Sequence, residues 1–275
     1  MIDYQVVKTS GSNLVYHFIA GNGFSPAAYK GLFEHLPDVC IQSPLLRPLW
    51  SRKMPLELSS WDVFVDDLEE YLVTFKPKIV LGHSIGASIW LLAAKKFNYH
   101  FDKIILIEPV IFPKYYSWIY VMLKGFNIHK RVHPMISKTL KRKRVFDSKQ
   151  SIIQRYSQKE LFSRFDTQTL SDYVDANFIE KDNGYELIYS PEWEAEIYDK
   201  MTLSIGPIWD ALSVIQTDIC LFKAEFSNVI TKGVYKKLVS NFESIDCIEV
   251  KDTSHLLPFE TPSYLGQKIC DFNKI

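Results

Sequence analysis

Neither sign of charge is in excess: Lys and Arg together number 32, and so do Asp and Glu. A balanced chain carries no global field that favours nucleic acid or an anionic membrane, so no nucleic-acid partner is expected and a small neutral or weakly charged ligand fits better. Cysteine is scarce. Cys40, Cys220, Cys247 and Cys270 show no C-x-x-C spacing, and three of them sit in apolar strand or helix patterns, which reads as buried free thiols. With H-E-x-x-H and Cys/His clusters also missing, no metal is expected. The strings G-x-x-x-x-G-K-[ST] and G-x-G-x-x-G are absent, and no cofactor is expected. No apolar run reaches the roughly 18 residues of a membrane-spanning helix. The amino-terminal MIDYQVVKTSGSN has neither a basic nor an apolar leader region, and Asn273-Lys274-Ile275 is not an S-K-L address, so the expected location is the cytoplasm. Internal repeats and low-complexity tracts are lacking, and nothing in the sequence speaks to oligomeric state.

What is present is a 47% hydrophobic content over 275 residues, enough for the core of one large α/β domain. Short Val/Ile-rich runs recur at 14–21, 39–46, 78–83, 103–110, 218–225 and 245–252, and read as buried parallel strands. Helical patterns lie between them. The clearest is 60–75, with Trp61, Phe64, Leu68, Tyr71, Leu72 and Phe75 on one face and Ser59 and Asp62 as a capping box. Alternation of this kind predicts a mostly parallel sheet with helices on both faces and ligands at the carboxyl ends of its strands. From Phe112 to about Ile205 no strand is evident. That interval reads as an inserted helical cap, residues 112–205, on a core of 1–111 and 206–275. The cap's FPKYYSWIYVMLKGF carries aromatics that either line an apolar pocket or pack the cap against the sheet. Its segment 129–146 has seven Lys or Arg and no acid, which a solvated face explains.

The chemistry concentrates in KIVLGHSIGASIWLLAAKKF, residues 78–97, where an apolar run meets Gly82-His83-Ser84-Ile85-Gly86 and a helical pattern follows. A tight strand-to-helix turn of this form exposes a serine at the end of its strand, and glycines at 82 and 86 remove Cβ atoms that would collide as the chain reverses. Ser84 is the candidate nucleophile. Such a hydroxyl needs a base within hydrogen-bond reach and donors for the oxyanion it creates. The N–H of Ile85 points into the same space. Among seven histidines, His255 is the candidate base, because VKDTSHLLPFETP follows the last strand and opens on the same sheet edge. The second oxyanion donor is expected in Gly21-Asn22-Gly23-Phe24, from the N–H of Phe24, with its ring as a pocket wall. Asn22 and Gly23 are expected to border the substrate, as is His83, packed behind the elbow.

The segments HFIAGNGFSPAAY, GHSIGAS, IILIEPV, YSPEWEAEIY and DTSHLLPFETP resemble the α/β-hydrolase superfamily, and more narrowly its capped esterases, lipases and enol-lactonases. The likeness covers nearly the whole chain outside the cap and implies a triad in the order Ser, acid, His. Asn22 stands where many relatives have histidine. The acid departs from the common pattern: the usual G-x-x-D turn after 218–225 reads Ala224-Glu225-Phe226-Ser227 here. Some members place it one strand earlier, where this chain has Glu108; Glu225 is the substitute candidate and Asp252 the third. The resemblance implies a cofactor-independent serine hydrolase acting through an acyl-enzyme on a small, apolar ester, thioester or lactone. The alternative is a silent small-ligand binding protein of the same fold.

Overall fold

A computed structural model describes residues 2–51, 58–126 and 134–273. All six expected strands are present: β2 (Val15–Ile19), β3 (Cys40–Pro44), β4 (Ile79–His83), β5 (Lys103–Ile107), β9 (Asp218–Ala224) and β10 (Ile245–Val250). With β1 (Tyr4–Lys8) they form a seven-stranded sheet in the order β1-β3-β2-β4-β5-β9-β10, parallel throughout except for β1. One apolar layer packs Trp61, Phe64, Leu68, Trp90, Ile208 and Trp209 on one face; another packs Tyr16, Phe18, Tyr29, Phe33, Leu265 and Ile269 on the other. Burial on both faces is why β4 and β5 read as continuous apolar runs with no alternation. Strand order places β4 and β5 side by side in the middle, so their carboxyl ends open into one crevice.

Three sequence expectations need correction. The edge strand β1 was not foreseen, because Tyr4, Gln5 and Val6 are exposed and give no apolar run. The interval 112–205 is not strand-free: β6 (Val145–Phe146), β7 (Phe178–Lys181) and β8 (Gly184–Leu187) form a small antiparallel sheet beside its helices. Its signal was Asn183-Gly184, a hairpin turn, with Gly184 at φ +118. The helix Asp62–Phe75 starts after Trp61 with no side-chain cap, so the expected Ser59–Asp62 capping box is not formed. The Ser60 hydroxyl accepts the Asp62 N–H and donates to the Asp62 carboxylate. The four cysteines are free thiols, but only Cys220 is fully buried.

His17 is enclosed inside β2, its Nδ1 2.7 Å from the Tyr71 hydroxyl. Burial lowers its pKa to about 4. An unfolded chain therefore takes up a proton near pH 6.5 that the native site refuses until about pH 4. The stability from this site is complete above pH 6.5 and lost as pH falls through that window, by about 3 kcal/mol. Urea midpoints at pH 7 and pH 4.5 are expected to differ less in His17→Gln than in the wild type; an equal acid loss in both would remove His17 from the account.

Candidate active site

Ser84 follows β4 with φ +56 and ψ −122, and Glu108 follows β5 with φ +47. Both residues sit in backbone conformations that side chains rarely adopt, and both are held there by the sheet. The Ser84 N–H donates to the Ile107 carbonyl at 3.0 Å, and the Glu108 N–H to the Phe222 carbonyl at 2.8 Å. The two N–H groups thus continue the ladder one residue beyond its strands while the side chains swing to the same edge. The turn tolerates no bulk. A Cβ at Gly86 would lie 2.2 Å from the Ile19 carbonyl oxygen, and one at Gly82 would lie 2.5 Å from the Ala87 nitrogen. Gly86→Ala is therefore expected to lower stability by about 1–3 kcal/mol or more, read as a shift in urea midpoint; an unshifted midpoint would mean that the elbow can spread.

His255 bridges the two. Its Nε2 lies 2.9 Å from the Ser84 Oγ and its Nδ1 3.0 Å from a Glu108 carboxylate oxygen. A carboxylate only accepts, so Nδ1 carries the proton and Nε2 is left to accept from the serine hydroxyl. Glu108 is fully buried and takes two more donors, the Ala224 N–H at 2.7 Å and the Ser227 hydroxyl at 2.8 Å. Ser227 Oγ in turn accepts from the N–H groups of Val229 and Ile230. The other two acid candidates are elsewhere. Glu225 is exposed and accepts the Asp252 N–H, while the Asp252 carboxylate pairs with Arg164. The loop that carries His255 is pinned by Glu260, which accepts from both the N–H and the hydroxyl of Ser254.

The side chains of His83 and Asn22 are engaged by protein groups, and Gly23 packs against Glu194. His83 is 1% exposed and has both ring nitrogens engaged. Burial, reinforced by His255, holds its pKa well below the usual imidazole range, so the ring is neutral. Its Nε2–H donates to the His255 carbonyl at 2.9 Å, and its Nδ1 accepts from the Tyr29 hydroxyl at 2.7 Å. Tyr29 accepts the Gly21 N–H at 2.9 Å. His83 thus ties the His255 loop and the loop after β2 to the elbow. The Asn22 amide donates to the Glu194 carbonyl and accepts from the Tyr189 hydroxyl, so its side chain is consumed by protein. Gly23, at φ +84, lies under the Glu194 carboxylate, which a Cβ would approach to 3.0 Å.

The Phe24 N–H is likewise committed, to the Gly21 carbonyl at 3.2 Å, closing the turn that Gly23 permits. Its ring stacks on Phe259 at 5.2 Å and meets Tyr173 and Tyr29 edge-on. The N–H groups of Ile85 and Asn22 have no partner among the described residues. Tyr29, Glu194 and Glu260 lie in segments that carry the resemblance, but no local pattern singles them out, and Ser227 lies outside those segments. Ser227 left a different trace, since it occupies the place of the aspartate in the usual G-x-x-D turn.

Among the described residues no group of His, Cys, Asp and Glu has the arrangement of a metal site, and no helix is long and apolar enough to cross a membrane. A family model described as serine aminopeptidase, S33, matches residues 51–261. No curated protein sequence matches the chain. The solved structure of E-2-(acetamidomethylene)succinate hydrolase superposes with a TM-score of 0.76 at 13% identity, covering 100% of this chain and 95% of that one. A thioesterase domain from the curacin biosynthetic pathway gives 0.73 at 12% identity, covering 98% and 99%. An M. tuberculosis esterase gives 0.71 at 15% identity, covering 100% and 92%.

Proposed function

The chain belongs to the serine aminopeptidase S33 family of α/β-fold hydrolases, and from that membership we propose that it is a serine hydrolase working through an acyl-enzyme on a small, apolar ester, thioester or lactone. The observation that carries the reading is the unbroken line of hydrogen bonds from Ser84 through His255 to Glu108. Ser84 Oγ attacks the carbonyl carbon as its proton passes to His255 Nε2, and the carbonyl π pair moves onto oxygen. Collapse of that intermediate breaks the bond to the leaving group, which takes the proton from Nε2. Water then repeats the sequence on the acyl-enzyme and releases the acid. Glu108 keeps the imidazole in the productive tautomer and offsets its charge when protonated. The Ile85 N–H is one oxyanion donor. With Phe24 engaged in its own turn, the second is the Asn22 N–H.

Residues 112–205 act in this reading as a lid on a core of 1–111 and 206–275. Two tethers to the loop after β2 support it: the Asn22 amide to Glu194, and the Ser25 N–H to Asn177. An uncharged acyl group is favoured over a peptide amino terminus. An α-ammonium needs a free carboxylate beside the serine, and Glu108 is taken by His255 while Glu194 is paired with Arg142. The absence of the usual aspartate would favour the silent-binder alternative, but Glu108 makes the imidazole contact that such an aspartate would make. A fluorophosphonate probe read by intact mass tests the reading. One adduct on the wild type and none on Ser84→Ala is expected, followed by turnover of p-nitrophenyl esters, thioesters and lactones above that of aminoacyl p-nitroanilides. An unlabelled wild type would favour the binder.

A further inference from the structure

Seven of the nineteen exposed large hydrophobic side chains among the described residues fall between Tyr115 and Phe126, on and just beyond the helix Tyr115–Gly125. Within that helix only Tyr120 is buried. The helix is fastened by one side: the Tyr120 hydroxyl donates to Asp199 at 3.3 Å and the Ser117 hydroxyl to the Thr202 carbonyl at 3.1 Å. Tyr115, Trp118, Ile119, Met122 and Phe126 stand three and four residues apart, which puts them on one stripe. That spacing ordinarily marks the face turned to a core, yet here Trp118 is 80% and Phe126 73% exposed. An apolar stripe of this extent on a water-facing surface marks a place where something binds.

The charge beside it says what. From Phe112 to Phe146 the sequence holds nine Lys or Arg and no Asp or Glu, in a chain whose total charge is balanced. Lys114 and Lys124 stand at the two ends of the helix, where long stems let the ammonium groups reach past the apolar stripe. The acids packed nearest are already held by cations, Asp210 by Lys95 and Lys114, and Asp199 by Lys200. A second copy of the chain would set this acid-free, basic segment against itself. An anionic lipid surface satisfies both halves of the pattern, acyl chains against the stripe and head groups against the lysines. At eleven residues the helix is about 16 Å long, roughly half the hydrocarbon thickness, so it can lie in the interface but not cross it.

We infer that the helix Tyr115–Gly125 docks the protein on the surface of an anionic lipid bilayer, with Trp118 and Met122 entering the acyl region. The inference does not depend on the hydrolytic reading, since it concerns a face outside the Ser84 site.

Sedimentation with vesicles of phosphatidylcholine and phosphatidylglycerol, roughly 3:1, tests it. The protein is expected to sediment with these vesicles, less with phosphatidylcholine alone, and less again at high salt. The double variant Trp118→Glu/Met122→Glu is expected to bind on the order of tenfold more weakly, while turnover of a water-soluble ester stays that of the wild type. Both substituted side chains are exposed, so the fold has no reason to suffer. No binding to anionic vesicles would overturn the inference. So would binding that the double variant retains, or a dimer formed through this face in place of vesicle binding.

Discussion

Ser84→Ala is expected to reduce ester turnover by a factor on the order of 10⁶, since removing the nucleophile from a cooperating set costs about as much as removing the whole set. The substitution is well matched to the site. Alanine keeps the Cβ that the backbone at φ +56 already accommodates, and the Ser84 N–H bond to Ile107 is unchanged, so the elbow keeps its shape. What is lost is the oxygen 2.9 Å from His255 Nε2. Without it no acyl-enzyme forms, the fluorophosphonate adduct disappears, and any burst of p-nitrophenol vanishes with it. An unchanged urea midpoint should accompany the loss, which separates chemistry from unfolding. Turnover that persists within tenfold of the wild type would remove Ser84 as nucleophile.

The second large effect is expected at Glu108. Its two carboxylate oxygens receive three donors, from Ala224, Ser227 and His255. Glutamine offers one accepting oxygen and an NH₂ group. Whichever way the amide lies, its nitrogen faces a donor, either the fixed Ala224 N–H or the His255 ring. In the second case the imidazole must present Nδ1 as acceptor and loses the tautomer that receives the serine proton. A fall in kcat on the order of 10⁴ follows, as for any triad acid replaced by its amide. Glu225→Gln is expected to change turnover less than twofold, because that carboxylate is exposed and accepts the Asp252 N–H away from the His255 ring. A reversed ranking would return the acid to the later strand. The Ser227 contact adds a rescue: Glu108→Ala combined with Ser227→Asp restores at least tenfold over Glu108→Ala alone, since a carboxylate at 227 starts one hydrogen bond from the space Glu108 leaves. A double variant no better than the single would show that the imidazole cannot follow.

The inner strands β2, β4, β5 and β9 were legible because they are enclosed on both faces and so are apolar along nearly all their length; β3 and the edge strand β10 are less fully buried and showed through their Val and Ile residues alone. The edge strand β1 was not legible, for the converse reason: half solvated, it carries Tyr4, Gln5 and Val6 without pattern. The three short strands at 145–187 were hidden by their length, two to four residues, too few for any period to show. Of the basic segment 129–146, residues 129–133 lie outside the described part of the chain; in the remainder the solvated-face reading holds for exposed Lys141, Lys143 and Arg144 but not for Arg142. That guanidinium is drawn in by Glu194 and two tyrosine hydroxyls. A charge run cannot announce which member meets a buried partner 52 positions away.

By itself the sequence determined the class of fold, the elbow that presents Ser84, and the choice of His255, because each depends on local chemistry: apolar runs, glycines where a Cβ cannot fit, and a loop that must follow the last strand. Only the tertiary structure decided which carboxylate meets the imidazole, that Phe24 spends its N–H on its own turn, and that the side chains of His83 and Asn22 are engaged by protein groups. Those outcomes turn on strand order and on directions of hydrogen bonds between residues far apart in the chain. Such directions are set by packing, and no spacing along a sequence encodes them.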